Sequence, residues 1–222
     1  MELSQITSAI INDVYSGLAG MNANINISFD QIEDEVIAKR QVVIREMYNK
    51  GLLKAEDLMV SINCIEVDCA DPVKCCTESS GKTALHFEIP QLMEGIGADA
   101  LKFVGSADRS VSYDVYFDKS TTNSHKYKRR GADSPYVYIE RTPNENQMYD
   151  GWIYNLPFVK KISVIGIFKD LRQLEELNCC NTPDFLDFGI VSDEVRARIT
   201  KEKLQYYRQN LAQPQPNNLI PR

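Results

Sequence analysis

Histidine is nearly absent from this chain. The 222 residues include two, His86 and His125, so any Ser-His-Asp or Cys-His arrangement has to be built on one of them. Neither stands beside a nucleophile signature. His86 lies in LHFEIP, which reads as a strand, and His125 lies in a polar stretch. Long apolar runs are missing too, which argues against a membrane-spanning helix. The first residues, MELSQITSAIINDVYSG, lack a basic leader and carry Glu2 and Asp13 within their apolar pattern. They are not expected to act as a signal peptide, so synthesis and first folding are expected in a cytoplasm. Basic residues are in deficit, 25 Lys and Arg against 31 Asp and Glu for a net charge of −6. That balance disfavours wholesale coating of DNA, which needs cations to neutralise phosphates.

What remains is a globular composition. Hydrophobic residues make up 43% of the chain and charged residues 25%, enough of both for a buried core with a solvated surface. Periodicity divides the chain into four parts: a helical hairpin over 1–57, a β-rich domain over 58–170, a helical segment over 171–211 and an extended arm over 212–222.

In the hairpin, Leu3, Ile6, Ile10, Val14 and Leu18 recur at helical spacing, and Gly17 and Gly20 break the pattern. MNANINIS reads as a loop. Ser28 and Gln31 predict a capping box for a second helix, with Ile32, Val36, Val43, Ile44 and Met47 as its apolar stripe. Arg40 and the other charged residues fall largely off that stripe. Early acids, later bases and Gly51 at the C′ position complete the expectation.

The middle alternates at period two. Leu58, Val60, Ile62 and Cys64 predict one strand, and 85–89, 101–104, 111–117, 136–141, 153–156 and 162–168 predict others. Turn-like stretches separate them, including SSGK, KSTTNS and RTPNENQMYDG. The implied fold class is α+β, with a mostly antiparallel β-sandwich or barrel-like domain between helical ends. DLRQLEEL then predicts a short helix. Ser192, with Asp193 and Glu194, starts a last one whose apolar-aromatic side is Val195, Ile199, Tyr206, Tyr207 and Leu211. The prolines of AQPQPNNLIPR exclude further helix and favour an extended conformation.

Several groups carry possible chemistry. Cys64, Cys69, Cys75 and Cys76 lie close together, and Cys179 and Cys180 form a distant vicinal pair. The sequence leaves three states open: free or buried thiols, a disulfide formed after release from the cell, or a zinc loop. The spacing C-x4-C-x5-CC is not that of a regular zinc ribbon. The basic stretch 125–130, HKYKRR, is either a solvated loop tip or a local phosphate-facing patch. SGKT at 80–83 lacks the upstream glycine of a phosphate loop and reads as a turn. A hydrolase reading would join His86 to Asp68, Asp71 or Glu88, with no motif behind it. The residues predict no catalytic site, no cofactor and no metal centre, and so a protein that is not an enzyme.

Two end regions have a further character. LSQITSAIINDVYSGLAG, FDQIEDEVIAKRQVVIREMYNKGLL and INCIEVDC, together with SDEVRARITKEKLQYYRQNL and PQPNN, resemble the ring, or head-to-tail connector, proteins of crAss-like tailed bacteriophages. The likeness covers roughly the first seventy and last thirty residues. It implies a virion structural protein of the neck or tail, forming a ring of typically about twelve copies below the portal. The implied partners are further copies of the chain, the portal and the other ring proteins, with genomic DNA met only in transit during ejection. An acidic channel wall suits that passage, because it repels phosphates. More loosely, the N-terminal helices look like those of portal adaptors in other short-tailed phages, whose C-terminal extension climbs the portal. The contrasting alternative is a zinc-stabilised nucleic-acid-binding or regulatory protein built on the cysteines and the 125–130 stretch.

Overall fold

The computed structural model describes residues 2–19, 25–69, 84–96, 100–118, 120, 134–156, 159–177 and 191–212. The arm beyond 212, the 125–130 stretch, SGKT, Asp71, Cys75, Cys76, Cys179 and Cys180 lie outside them, as does the Cys69 side chain. The chain is α+β and divides into two units. One comprises Met1–Lys50 and Leu186–Arg222, the other Gly51–Phe185. The four sequence segments thus regroup. The last helix joins the N-terminal pair because its apolar residues are covered by them.

The helical unit holds α1 (Leu3–Gly17), α2 (Phe29–Asn49) and a C-terminal helix (Ser192–Ala212), called α4 below. Ile6, Ile10 and Val14 of α1, Ile32, Val36, Val43 and Ile44 of α2, and Val195 and Ile199 of α4 are all buried. The helical-period stripe supplies this core. Gly17 marks the close approach of α1 to α4, since a Cβ there would come 2.7 Å from a Leu204 methyl. Arg208 then donates to the Gly17 carbonyl at 3.1 Å, satisfying one of the unpaired acceptors at the end of α1.

Three expectations for these helices are corrected. Ser28 is the N-cap of α2 but makes no side-chain capping bond; Gln31 instead donates to Glu35 one turn on. Arg40 is buried rather than off the apolar face. On α4, Tyr206 is exposed, so the aromatic end of its stripe is not core. Gly51 does sit where expected, just past α2, with φ +69°, the left-handed position that glycine takes without strain.

The second unit carries two sheets. Strands β1 (Val60–Glu66), β8 (Lys161–Gly166) and β4 (Leu101–Ser106) form one in that order, antiparallel throughout. The other runs β2 (Asp68–Cys69), β3 (Leu85–Pro90), β7 (Met148–Tyr154), β6 (Tyr136–Ile139) and β5 (Asp114–Tyr116). Only the β5–β6 pair is parallel. A bridge between Leu92 and Phe168 links the residues just after β3 and β8. A 3-10 turn (Ala55–Leu58) precedes β1, and the short helix α3 (Gln173–Leu177) follows β8. The core is Ile62, Ile65, Phe87, Ile89, Val104, Val137, Ile139, Ile153, Ile162, Val164 and Phe168.

Two strand readings change. The alternation ending on Cys64 is broken: Cys64 has φ +64° and the β1–β8 register shifts between Ile62 and Ile65. This bulge moves the buried position from Cys64 to Ile65. Strand β7 starts at Met148, inside the stretch read as a turn. Asp150 and Gly151 resemble turn residues, but Met148, Tyr149 and Ile153 around them are buried. Among the described residues, no helix is long and apolar enough to cross a membrane.

Candidate functional site

The period of β3 sets up the site. Leu85, Phe87 and Ile89 point into the core, which leaves His86 and Glu88 together on the opposite, half-buried face. Antiparallel pairing brings Asp150 across from Glu88 and Trp152 across from His86. The register is pinned on the core side, where the Phe87 ring lies against Gly151. A Cβ on Gly151 would overlap that ring.

On the outer face His86 Nε2 and Asp150 Oδ1 are 2.8 Å apart. One ligand atom each from His86, Glu88 and Asp150 lies within 4.8 Å of the others. Asn144, from the turn before β7, supplies the fourth member. Its Nδ2 donates to Glu88 Oε1 at 2.7 Å and to Asp150 Oδ1 at 3.3 Å. Its Oδ1 accepts the backbone N–H groups of Asn146 and Met148, both at 3.0 Å. Those two bonds fix which end of the amide faces the carboxylates. Trp152 lies tilted beside His86, with ring centres 5.8 Å apart. Tyr138 stacks on Trp152 at 5.5 Å. The side chains of His86 and Asp150 remain 29% and 24% exposed, so solvent reaches the cluster.

Such a cluster can hold a cation or exchange a proton between imidazole and carboxylate. Among the described residues the cluster contains no hydroxyl or thiol. Of the residues named in the hydrolase reading, the structure unites His86 with Glu88. Asp68 pairs with His86 through the β2–β3 ladder. Asp150 and Asn144 escaped sequence reading, because only the β3–β7 register brings them to His86. The available signal was the His-x-Glu alternation facing an Asp-x-Trp alternation, both at period two.

The helical unit presents a second surface. Arg196 of α4 holds Asp13 of α1 through two hydrogen bonds of 2.6 and 2.8 Å. The Asp13 carboxyl is held below its ordinary pKa chiefly by that bonding. Arg198 binds Glu46 of α2 at 2.8 Å and Glu194 on its own helix at 2.8 Å. Its hydrogen bond likewise lowers the pKa of Glu46. Lys203 and Lys39 add pairs to Glu35 and Glu202. Beside these pairs runs a groove lined by Asp13, Arg196, Thr200, Leu204 and Arg208. Tyr15, Phe29, Val42 and Tyr206 are exposed on the same unit.

Comparison with protein-family models and with curated proteins finds no match for this chain.

Proposed function

We propose that this chain is a virion structural protein, a ring-forming connector subunit that lies below the portal in the neck or tail and lines part of the genome-delivery channel. One observation carries the reading. The helical parts of the two end regions that resemble phage ring proteins fold with each other: α1, α2 and α4 share one core. The same unit exposes Tyr15, Phe29, Val42 and Tyr206. Large apolar side chains left in water favour burial against a partner. A ring subunit needs such faces, because heterologous contacts must be made on both sides before the ring closes. The net charge of −6 suits a wall past which DNA slides without adhering.

The test is assembly. The chain is co-expressed with a portal from a crAss-like phage, and particles are examined by native mass spectrometry and electron microscopy. The reading expects about twelve copies joined to the portal. It also expects V42D with Y206D to abolish joining while the monomer keeps its helical circular dichroism. A chain that never enters portal-containing particles defeats it.

A further inference from the structure

We propose that His86, Glu88 and Asp150 bind a divalent first-row transition metal, for which Co2+ is the test ion. The donor set is one imidazole nitrogen and two carboxylate oxygens. Three such protein ligands, with the remaining positions left to water, match the open coordination of zinc and its neighbours in the series. The spacing fits as well. These ions hold nitrogen and oxygen ligands at roughly 2.0–2.2 Å, so two ligands at a tetrahedral angle on one ion stand about 3.3–3.6 Å apart. The three donor atoms already lie within 4.8 Å of one another, and small side-chain rotations bring them onto one ion.

The backbone makes this arrangement stiff. His86 and Glu88 are two apart on β3, and Asp150 lies across the pair on β7. All three therefore project from paired strands rather than from a loop, which favours a precise site.

Electrostatics supplies the reason for a cation. Like charges directly opposite on adjacent strands are unfavourable, and Glu88 and Asp150 are opposite. The Asn144 amide donates to both carboxylates and a neutral His86 imidazole meets Asp150, but neither brings a charge to offset the two carboxylates. A divalent ion does. Asn144 then becomes an outer partner that orients both carboxylates, as hydrogen-bond donors around metal ligands do. Trp152 and Tyr138 wall one side, while the exposure of His86 and Asp150 leaves a way in. Among the described residues no cysteine belongs to the cluster, so its donor set differs in kind from a zinc loop built on thiolates.

Trp152 is the only tryptophan of the chain, and it touches the site. The full chain, kept reduced with a non-chelating reductant, is titrated with Co2+ while Trp152 emission and visible absorption are followed. The expected result is saturable quenching at one ion per chain. H86A and E88Q should each weaken the affinity at least tenfold, and N144A by about tenfold. E88Q keeps the side-chain shape, so it decides the matter even where H86A unfolds. Absence of saturable quenching, or E88Q binding Co2+ as tightly as the parent, overturns the proposal. So does a spectrum dominated by thiolate-to-cobalt charge transfer that persists in E88Q, because it would place the ion on the cysteines.

Discussion

Arg196 and Asp13 stand 183 positions apart in the sequence, yet a two-pronged ion pair joins them, Nε to Oδ2 at 2.6 Å and Nη2 to Oδ1 at 2.8 Å. The pair ties the last helix to the first. Paired geometry makes it stronger than a single surface contact, and partial solvation limits what it adds. R196A should lower the stability of the helical unit by about 1 kcal/mol. Urea denaturation followed at the helical signal measures it. A double-mutant cycle with D13N should return most of that loss as coupling, whereas fully additive effects would show the pair to be idle.

Acid should loosen this unit. The pKa values of Asp13 and Glu46 lie below their ordinary range, first because Arg196 and Arg198 hydrogen-bond to them. A carboxyl whose folded pKa is depressed contributes stability above its unfolded pKa and loses it as pH falls through the folded one. The window therefore opens near pH 4 and extends downward. Asp108, in the β unit, is held down to about 2, first by the Ser106 hydroxyl and then by Ser110, so its contribution persists to lower pH. Circular dichroism between pH 5 and pH 2 should show helical signal lost on acidification. The change should be shallower in an R196A/R198A variant, which has less to lose. Equal slopes in the two proteins would contradict the assignment.

How much of this fold was legible depends on the range of the interactions concerned. The stripes of α1 and α2 could be read because Ile6, Ile10 and Val14, or Ile32, Val36 and Val43, recur within a few turns. Arg40 could not be placed, since local spacing does not reveal which partners allow a guanidinium to be buried. The regrouping of α4 with α1 and α2 was equally hidden: Val195 and Ile199 announce an apolar face but not what covers it. Cys64 misled for a related reason. Perfect alternation through Leu58, Val60, Ile62 and Cys64 looks like an uninterrupted strand, and a bulge leaves no mark on such a pattern.

The site was half legible. His86 and Glu88 share a face by strand period alone, and their juxtaposition follows from LHFEIP. Asp150 requires the β3–β7 register, and the Asp-Gly pair at 150–151 imitates a turn. That glycine is there for the Phe87 ring. G151A should clash with it and cost about 1–3 kcal/mol, as overpacking does. In an F87L background the same substitution should cost less, because the ring that it meets is gone. Chemical denaturation of the four proteins gives the coupling. If G151A costs as much with leucine at 87 as with phenylalanine, the register is held by something else.

The bulge at Cys64 leads to the last prediction. A side chain with a Cβ is strained at φ +64°, and a β-branched one is strained most, because its second branch crowds the backbone. Strand propensity ranks valine above glycine, so a regular strand at this position would favour C64V over C64G. The bulge reverses that order. C64G should stay within about 0.5 kcal/mol of the parent, its relief of strain offsetting the lost side chain, while C64V should lose about 1–2 kcal/mol. Urea midpoints at the Trp152 signal decide between the two orders. A C64V more stable than C64G would mean that β1 runs straight through position 64, with Cys64 rather than Ile65 taking the inward place against β8.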